Sequence, residues 1–254
     1  SEIALNHYED VLYMYTMILG ANDVEMAKVL GDLGSVLNTL GHDRMAMRYL
    51  ETSLSILLKN KGKDDVSVAD ALHNIGVAHD KYGHLDKALD NYNEALRVYN
   101  LKLSKDHLKS CKPLHNIGVI QAKKGFYKEA IASFREAIRI KILRLGEKNI
   151  DVAESKFYYG NVLREANEIN EALKELTQAF HVRATIYGRD HLVVADTLFS
   201  LGLTHLQQNE FETALQCLVE CLRIRRILLS STAMKIAEVQ LHIGKVLHEI
   251  GNLF

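Results

Sequence analysis

The sequence predicts an all-α fold, an α-solenoid of stacked antiparallel helix pairs. Three observations predict it. The pentapeptide Leu72-His73-Asn74-Ile75-Gly76 returns 42 residues later as Leu114-His115-Asn116-Ile117-Gly118. Steps of 42 from its glycine reach Gly34, Gly76, Gly118, Gly160, Gly202 and Gly244, six of the 15 glycines in the chain. Between them the apolar residues recur with helical spacing, as at Ala88, Leu89, Tyr92, Ala95, Leu96 and Tyr99. A fixed period of this size marks a stack of like units rather than one globular core.

Aligning the units on the glycine brings other columns into phase. Seven residues before it stand Ala27, Ala69, Cys111, Ala153, Ala195 and Ala237. Twelve after it stand Ala46, Ala88, Ala130, Ala172 and Ala214, and sixteen after it Leu50, Tyr92, Phe134, Leu176 and Leu218. The small columns predict a close helix crossing. A bulky residue at Gly118 or Ala130 would overpack it.

Each unit therefore reads as helix A, tight turn, helix B and short loop. The predicted helices span 23–40, 43–61, 65–82, 85–103, 107–124, 127–145, 149–166, 169–187, 191–208 and 211–229. Gly41, Gly83, Gly125, Asn167, Asn209 and Gly251 sit where a helix would stop, and Gly and Asn accept the left-handed conformation that stops it. A second break falls at Gly20, Gly62, Ser104, Gly146, Gly188 and Ser230. The acidic residues after it, Asp23, Asp65, Asp106 and Asp190, suit a helix N-terminus. Pro113 falls in a first turn, where its missing N–H costs little.

The chain is expected to be a single array. A half unit covers 1–20, full units cover 21–62, 63–104, 105–146, 147–188 and 189–230, and a half unit covers 231–254. Ala4, Tyr8 and Leu12 occupy helix B columns, and the chain closes at Gly251-Asn252-Leu253-Phe254, just past a helix A. Such uncapped ends suggest a fragment of a longer array, or ends that pair with another copy.

Composition narrows the function. Of 254 residues 48% are hydrophobic, enough for a sizeable core. Basic and acidic residues number 31 and 32, so neither nucleic acid nor an anionic membrane is an expected partner. Cys111, Cys217 and Cys221 are too few for a disulfide framework, and a reducing, cytoplasmic setting is expected. No apolar run reaches the length of a membrane span, and Glu2, Glu9 and Asp10 stand where a signal peptide needs apolar residues.

The column pattern resembles the tetratricopeptide repeat. Ile117-Gly118, Ala130, Phe134 and Ala137 match that repeat in order. The ordinary repeat has about 34 residues. The longer period here, with segments such as Leu145-Gly146-Glu147-Lys148-Asn149-Ile150-Asp151-Val152-Ala153 and Tyr187-Gly188-Arg189-Asp190-His191, is similar to the repeats of kinesin light chains and nephrocystin. The resemblance implies a right-handed superhelix whose A helices line an inner groove. It implies a protein-interaction scaffold that holds an extended peptide there, as in cargo or adaptor recognition.

On that resemblance, groove positions fall six, three and two residues before each glycine and one, four and five after it. Asn74 and Asn116 are then candidates to hold a peptide backbone, since a carboxamide both donates and accepts. The structural alternative is that each bonds a neighbouring helix. His73 and His115 share one column, and Asn161 joins the groove from the fourth unit. Lys81, Lys123 and Arg164 are a candidate basic strip for an acidic ligand, against the alternative of a solvated helix face. Phe157, Tyr158 and Phe199 are candidate apolar anchors, with Leu203 and Leu206 belonging either to that patch or to the core. The carboxylate clamp of chaperone-binding repeats is not expected. Its matching positions would be His73, Val77, Asn116, Glu154 and Tyr158, and only the asparagine fits.

Enzyme chemistry is not expected, because no phosphate loop or nucleophile motif is present. The 12 histidines read as structural, and Cys217 and Cys221 have no second pair to complete a zinc site. No cofactor or metal is therefore expected. Two alternatives to peptide recognition stand: an architectural array that associates with itself, and a regulatory array whose active domain lies elsewhere in a larger protein.

Overall fold

The computed structural model describes the backbone of residues 2–19, 23–230 and 233–251. The predicted break at Gly20 and the end residues Asn252, Leu253 and Phe254 lie outside the described residues, as do the side chains of Ala4 and Tyr8. Among the described residues the chain forms twelve α-helices and no strand. It divides into two compact units, Ser1–Ile120 and Gln121–Phe254.

The first unit holds α1 (Glu2–Leu19), α2 (Val24–Leu40), α3 (Asp43–Lys61), α4 (Val66–Lys81), α5 (Leu85–Lys102) and most of α6 (Cys111–Lys123). The second holds α7 (Tyr127–Leu145), α8 (Ile150–Glu165), α9 (Ile169–Tyr187), α10 (Leu192–Gln207), α11 (Phe211–Leu228) and α12 (Met234–Gly251). Within each unit consecutive helices pack on one another, as α2 does on α3 and α8 on α9. Within each unit A helices also neighbour A helices, as α2 does α4 and α8 does α10. This is the α-solenoid class that the period predicts.

The turns show why each helix stops. Gly41, Gly83 and Gly125 adopt positive φ of 85, 76 and 80°, and Asn167 and Asn209 do the same at 64 and 62°. Gly251 differs, because it is the last described residue of α12 and is not among the glycines at positive φ. Glycine permits that conformation without imposing it. At the second break Gly62, Gly146 and Gly188 combine φ of 78, 81 and 81° with ψ of 165, 157 and 162°, a region only glycine occupies at low cost. Where serine replaces it, α5 and α11 end instead on Leu103 and Leu229 in ordinary extended backbone.

Helix starts also follow the period, in a column eleven residues before the glycine. Asp23, Asp65 and Asn149 accept the backbone N–H two residues on, each at 2.8 Å. In the other two units the cap is a histidine. His107 and His191 accept through Nδ1 from Lys109 and Val193 at 3.1 and 3.2 Å. The expected caps Asp106 and Asp190 are therefore corrected by one position. His107 caps a short 3-10 turn, Leu108–Ser110, so α6 begins at Cys111 rather than at 107.

The glycine column is the close crossing of helix A with helix B. A Cβ added at Gly34, Gly160 or Gly202 would stand 2.7, 2.6 or 2.8 Å from Cγ of Leu50, Leu176 or Leu218. At Gly76 it would stand 2.6 Å from Cε1 of Tyr92. The large column sixteen residues on thus lies directly over the glycine. It also reaches forward: Leu50 clusters with Ile75 and Ala78, and Tyr92 with Ile117 and Ile120, so one side chain ties its own pair to the next. Gly244 has open space where its Cβ would be.

That contrast predicts opposite outcomes for one substitution. Gly160→Ala is expected to destabilise by roughly 1–3 kcal/mol through overpacking against Leu176. Gly244→Ala is expected to stabilise by up to about 1 kcal/mol, since only helix propensity changes. Urea unfolding of both variants measures the difference, and equal effects would remove the packing explanation.

Candidate functional site

In the first unit the A helices bring polar residues onto one face. Asp70, His73 and Asn74 follow one another at helical spacing on α4. A cleft of about 280 Å³ lies between Asp70 and Asn74 and the residues Lys28, Gly31 and Asp32 of α2. A second, of about 290 Å³, lies between Asp70, His73, Asn74 and the residues Tyr99, Leu108, Lys109 and Lys112. Asp70 and Asn74 border both clefts.

These residues are not equally available. Asp70 accepts from the Tyr99 hydroxyl at 2.7 Å and from Lys109 Nζ at 2.7 Å. Burial, and then that bond to Asp70, push the Tyr99 hydroxyl pKa up. His73 packs its ring against Tyr92, with centroids 5.4 Å apart. Burial, helped by nearby Lys112, lowers its pKa from 6.5 to about 4, so it is neutral at pH 7. Asn116 hydrogen-bonds the Tyr92 hydroxyl from α6. Asn74 is half-buried, and its side chain has no hydrogen-bond partner among the described residues. Its counterpart of Tyr92 is Leu50, which has no hydroxyl to offer. The two asparagines of the repeated pentapeptide therefore differ in what is left to them.

Lys81 stands apart from this face. Its ammonium donates to the Asn38 carbonyl near the end of α2, beside the Tyr82 hydroxyl, which donates to the Asp43 carbonyl at 3.0 Å. The second unit has the same turn-to-turn contact. There Gln207 and Gln208 donate to Asn167 and Asn170 at 3.2 and 2.7 Å. Lys123 is exposed on the last turn of α6, and His115 is half-buried on the same helix.

In the second unit α8 carries Phe157, Tyr158, Asn161 and Arg164. Phe157 meets Tyr158 edge to face at 5.4 Å, and Tyr158 is 44% exposed. Asn161 donates to its own helix at the Phe157 carbonyl, 2.9 Å away. Arg164 is partly buried and lies 3.7 Å from Glu165. Phe199 on α10 packs edge to face on His242, 5.5 Å away. Leu206 joins the core around Leu218, and Leu203 is half-buried.

Both phenyl rings lie under buried arginines that the sequence reading did not single out. Arg183 is 2% exposed, with its guanidinium 4.0 Å from the Phe157 centroid, and it donates to Glu154 at 2.6 Å and Thr197 at 2.7 Å. Arg225 is likewise 2% exposed and 4.9 Å from the Phe199 centroid. It donates to Asp196 at 2.9 Å and to the Lys235 carbonyl at 2.6 Å. These arginines stand in phase, 23 residues after their glycines, and Tyr99 holds the same column. Their acids, Asp70, Glu154 and Asp196, form the column six before the glycine. Opposite charge in two columns of one unit is the signal that finds this contact from sequence.

Among the described residues no group of three or more His, Cys, Asp or Glu could hold a metal ion, and no helix is long and apolar enough to cross a membrane. Cys111 and Cys221 are buried and Cys217 half-buried, and none of the three forms a disulfide among the described residues. Burial pushes the Cys221 thiol up to about 12, which leaves it an unreactive core residue.

The fold and its period agree with family comparison. The model of the tetratricopeptide repeat matches residues 48–100, 109–184 and 151–227, and the chain belongs to that family. No curated protein sequence matches the chain. Among solved structures it is similar to BtubC (BKLC) from P. vanneervenii, at 17% identity and a TM-score of 0.74 over 91% of each chain. It is similar to a Podosopora anserina chain of nearly identical TPR-like repeats assigned as a kinesin light chain, at 15% identity and a TM-score of 0.70 over 82% of this chain and 99% of that one. It is also similar to YrrB, a TPR protein with an unusual peptide-binding site, at 18% identity and a TM-score of 0.57 over 90% of this chain and 97% of that one. The fold is that of a protein–protein interaction scaffold.

The buried histidine gives a pH prediction. His73 has a folded pKa near 4 against 6.5 unfolded, so the unfolded chain binds the extra proton between those values. Its contribution is whole above pH 6.5 and is lost as pH falls toward 4, by up to about 3 kcal/mol. His73→Phe keeps a ring beside Tyr92 and is expected to flatten that part of the stability–pH curve. Superimposable curves for variant and parent would show that the ring is not held neutral by burial.

Proposed function

We propose that the chain is an adaptor that binds an extended peptide along the A-helix face, in the manner of kinesin-light-chain cargo recognition. The single observation that supports this best is Asn74. It is a half-buried carboxamide without a partner among the described residues, set between two clefts and beside Asp70, which Tyr99 and Lys109 already engage. An extended peptide carries unpaired amide groups at regular spacing, and a carboxamide meets both the N–H and the C=O. The fold shared with YrrB, which has a peptide-binding site, supports the same reading.

His73, His115 and Asn116 flank Asn74 in the proposed surface of the first unit. Lys112 is exposed, borders the second cleft and has no ion-pair partner among the described residues, so an acidic ligand side chain is expected there. Lys81 and Lys123 add positive charge at the helix ends. In the second unit Phe157, Tyr158, Asn161, Arg164 and Phe199 form a separate proposed contact. Tyr158 is its most exposed aromatic anchor. The reading includes a reducing, cytoplasmic setting.

Capture from a library of extended peptides tests the first reading. Asn74→Ala is expected to leave helicity and unfolding midpoint unchanged and to weaken captured peptides at least about tenfold, the equivalent of about 1.4 kcal/mol. Asn116→Ala is expected to weaken capture and also to cost about 1 kcal/mol of stability through the lost Tyr92 bond. Binding is expected to weaken between low and physiological salt. Capture unaltered by both substitutions would defeat the proposal.

A further inference from the structure

Gly31 departs from the pattern of the array. The column three residues before the in-phase glycine holds a ring in the other full units, at His73, His115, Phe157 and Phe199. In the first full unit Gly31 stands there instead. Packing does not require it. A Cβ on Gly31 would meet the Ser53 hydroxyl at an ordinary contact distance of 3.4 Å, whereas one on Gly34 would stand 2.7 Å from Leu50. A glycine inside a helix weakens it, so this one trades helix stability for space.

Two further columns change with it. In the fourth and fifth full units Arg183 and Arg225 lie over the ring and hold the acid six before the glycine. In the first unit those two positions are Leu57 and Lys28. Leu57 is buried, and Lys28 pairs with Glu25 of its own helix at 2.7 Å. Ring, guanidinium and acid are thus all replaced at one place. The cleft of about 280 Å³ between α2 and α4 opens there.

Most polar groups around this cleft are spent. The Ser53 hydroxyl donates to the Ala27 carbonyl at 2.5 Å, and Asp70 is held by Tyr99 and Lys109. Two groups remain. Asp32 is exposed, and its carboxylate has no hydrogen-bond or ion-pair partner among the described residues. Asn74 keeps its carboxamide. Both stand two before their glycines, on neighbouring A helices. An unanswered carboxylate beside a carboxamide, over a floor without a ring, fits a flat cation. A guanidinium has a planar fork of N–H donors that engages a carboxylate twice and keeps others for a carboxamide oxygen. An ammonium lacks the flat face and holds its water more tightly.

We propose that this cleft takes an arginine side chain of the bound peptide, paired to Asp32 and Asn74. This rests on the reading of the A-helix face as a peptide-binding surface and names a side chain for it. The adjoining cleft has Lys112 for an acidic side chain, so the two clefts select opposite charges in one ligand.

Acetyl-arginine methylamide, titrated into the intact chain and followed by amide NMR, tests the proposal. Acetyl-citrulline methylamide has the same outline without the charge. The arginine probe is expected to shift the Gly31 N–H and the Asn74 carboxamide, and to bind roughly fivefold better than the citrulline probe. Asp32→Asn is expected to remove that preference without disturbing the fold, since the side chain is exposed and unpartnered among the described residues. Gly31→Phe is expected to abolish the shift at Asn74, because it supplies the ring that Phe157 and Phe199 supply in their units. Absence of shifts, equal binding of the two probes, or a preference that survives Asp32→Asn would overturn the proposal. A library of extended peptides separates it from the reading beneath it. Enrichment of arginine among captured peptides, lost in Asp32→Asn, supports both. Capture that depends on Asn74 but shows no preference for arginine overturns this assignment and leaves the groove reading standing. No capture at all overturns the groove reading and this proposal with it.

Discussion

The rest of the structure depends on how closely helix A and helix B cross. At Gly34, Gly76, Gly160 and Gly202 a leucine or tyrosine from helix B lies where a Cβ would be, within 2.6–2.8 Å of that position. Space is the whole reason for the glycine, because its backbone is ordinary helix. The same leucine or tyrosine contacts the following helix A, so one seat fixes both the pair and its stacking on the next pair. A period of 42 follows, since any slip would move the glycine from under its partner.

A second layer of contacts is polar and settles what remains for binding. Tyr99, Arg183 and Arg225 reach from helix B to an acid on their own helix A. Arg183 and Arg225 continue to the next helix A. Their burial makes these charges part of the frame, since removing one partner would leave the other poorly solvated. They also cover Phe157 and Phe199, which leaves Tyr158 as the more open ring of that patch. On α4 Asp70 is taken up by Tyr99 and Lys109, while the carboxamide of Asn74 keeps its hydrogen bonds unspent. A scaffold of this kind presents a few free groups on a wall whose other polar residues hold the wall together.

Much of this was legible from spacing alone. Helix existence, helix order and the left-handed stops at Gly41, Gly83, Gly125, Asn167 and Asn209 all follow from strict columns. What spacing did not give depends on pairwise chemistry. Histidine at 107 and 191 serves as an N-cap through a ring nitrogen, a role that composition assigns to the adjacent aspartates. Gly251 stays helical because a residue that tolerates a turn does not require one. Asn74 and Asn116 are the same letter in the same pentapeptide. They part company only because the residue facing them is leucine in one place and tyrosine in the other. Lys81 was drawn to the turn by the carbonyl of Asn38, a contact between units that no reading within one unit contains.

The central claim is that the glycine and the residue sixteen after it form one mechanical element. A double-mutant cycle on Gly160 and Leu176 tests it most directly, with Ala at each position singly and together and unfolding free energies from urea titration. Leu176→Ala vacates the space that a Cβ at position 160 would need. The double variant is therefore predicted to be less destabilised than the sum of the singles, by roughly 0.5–3 kcal/mol. Simple additivity of the two changes would contradict the account.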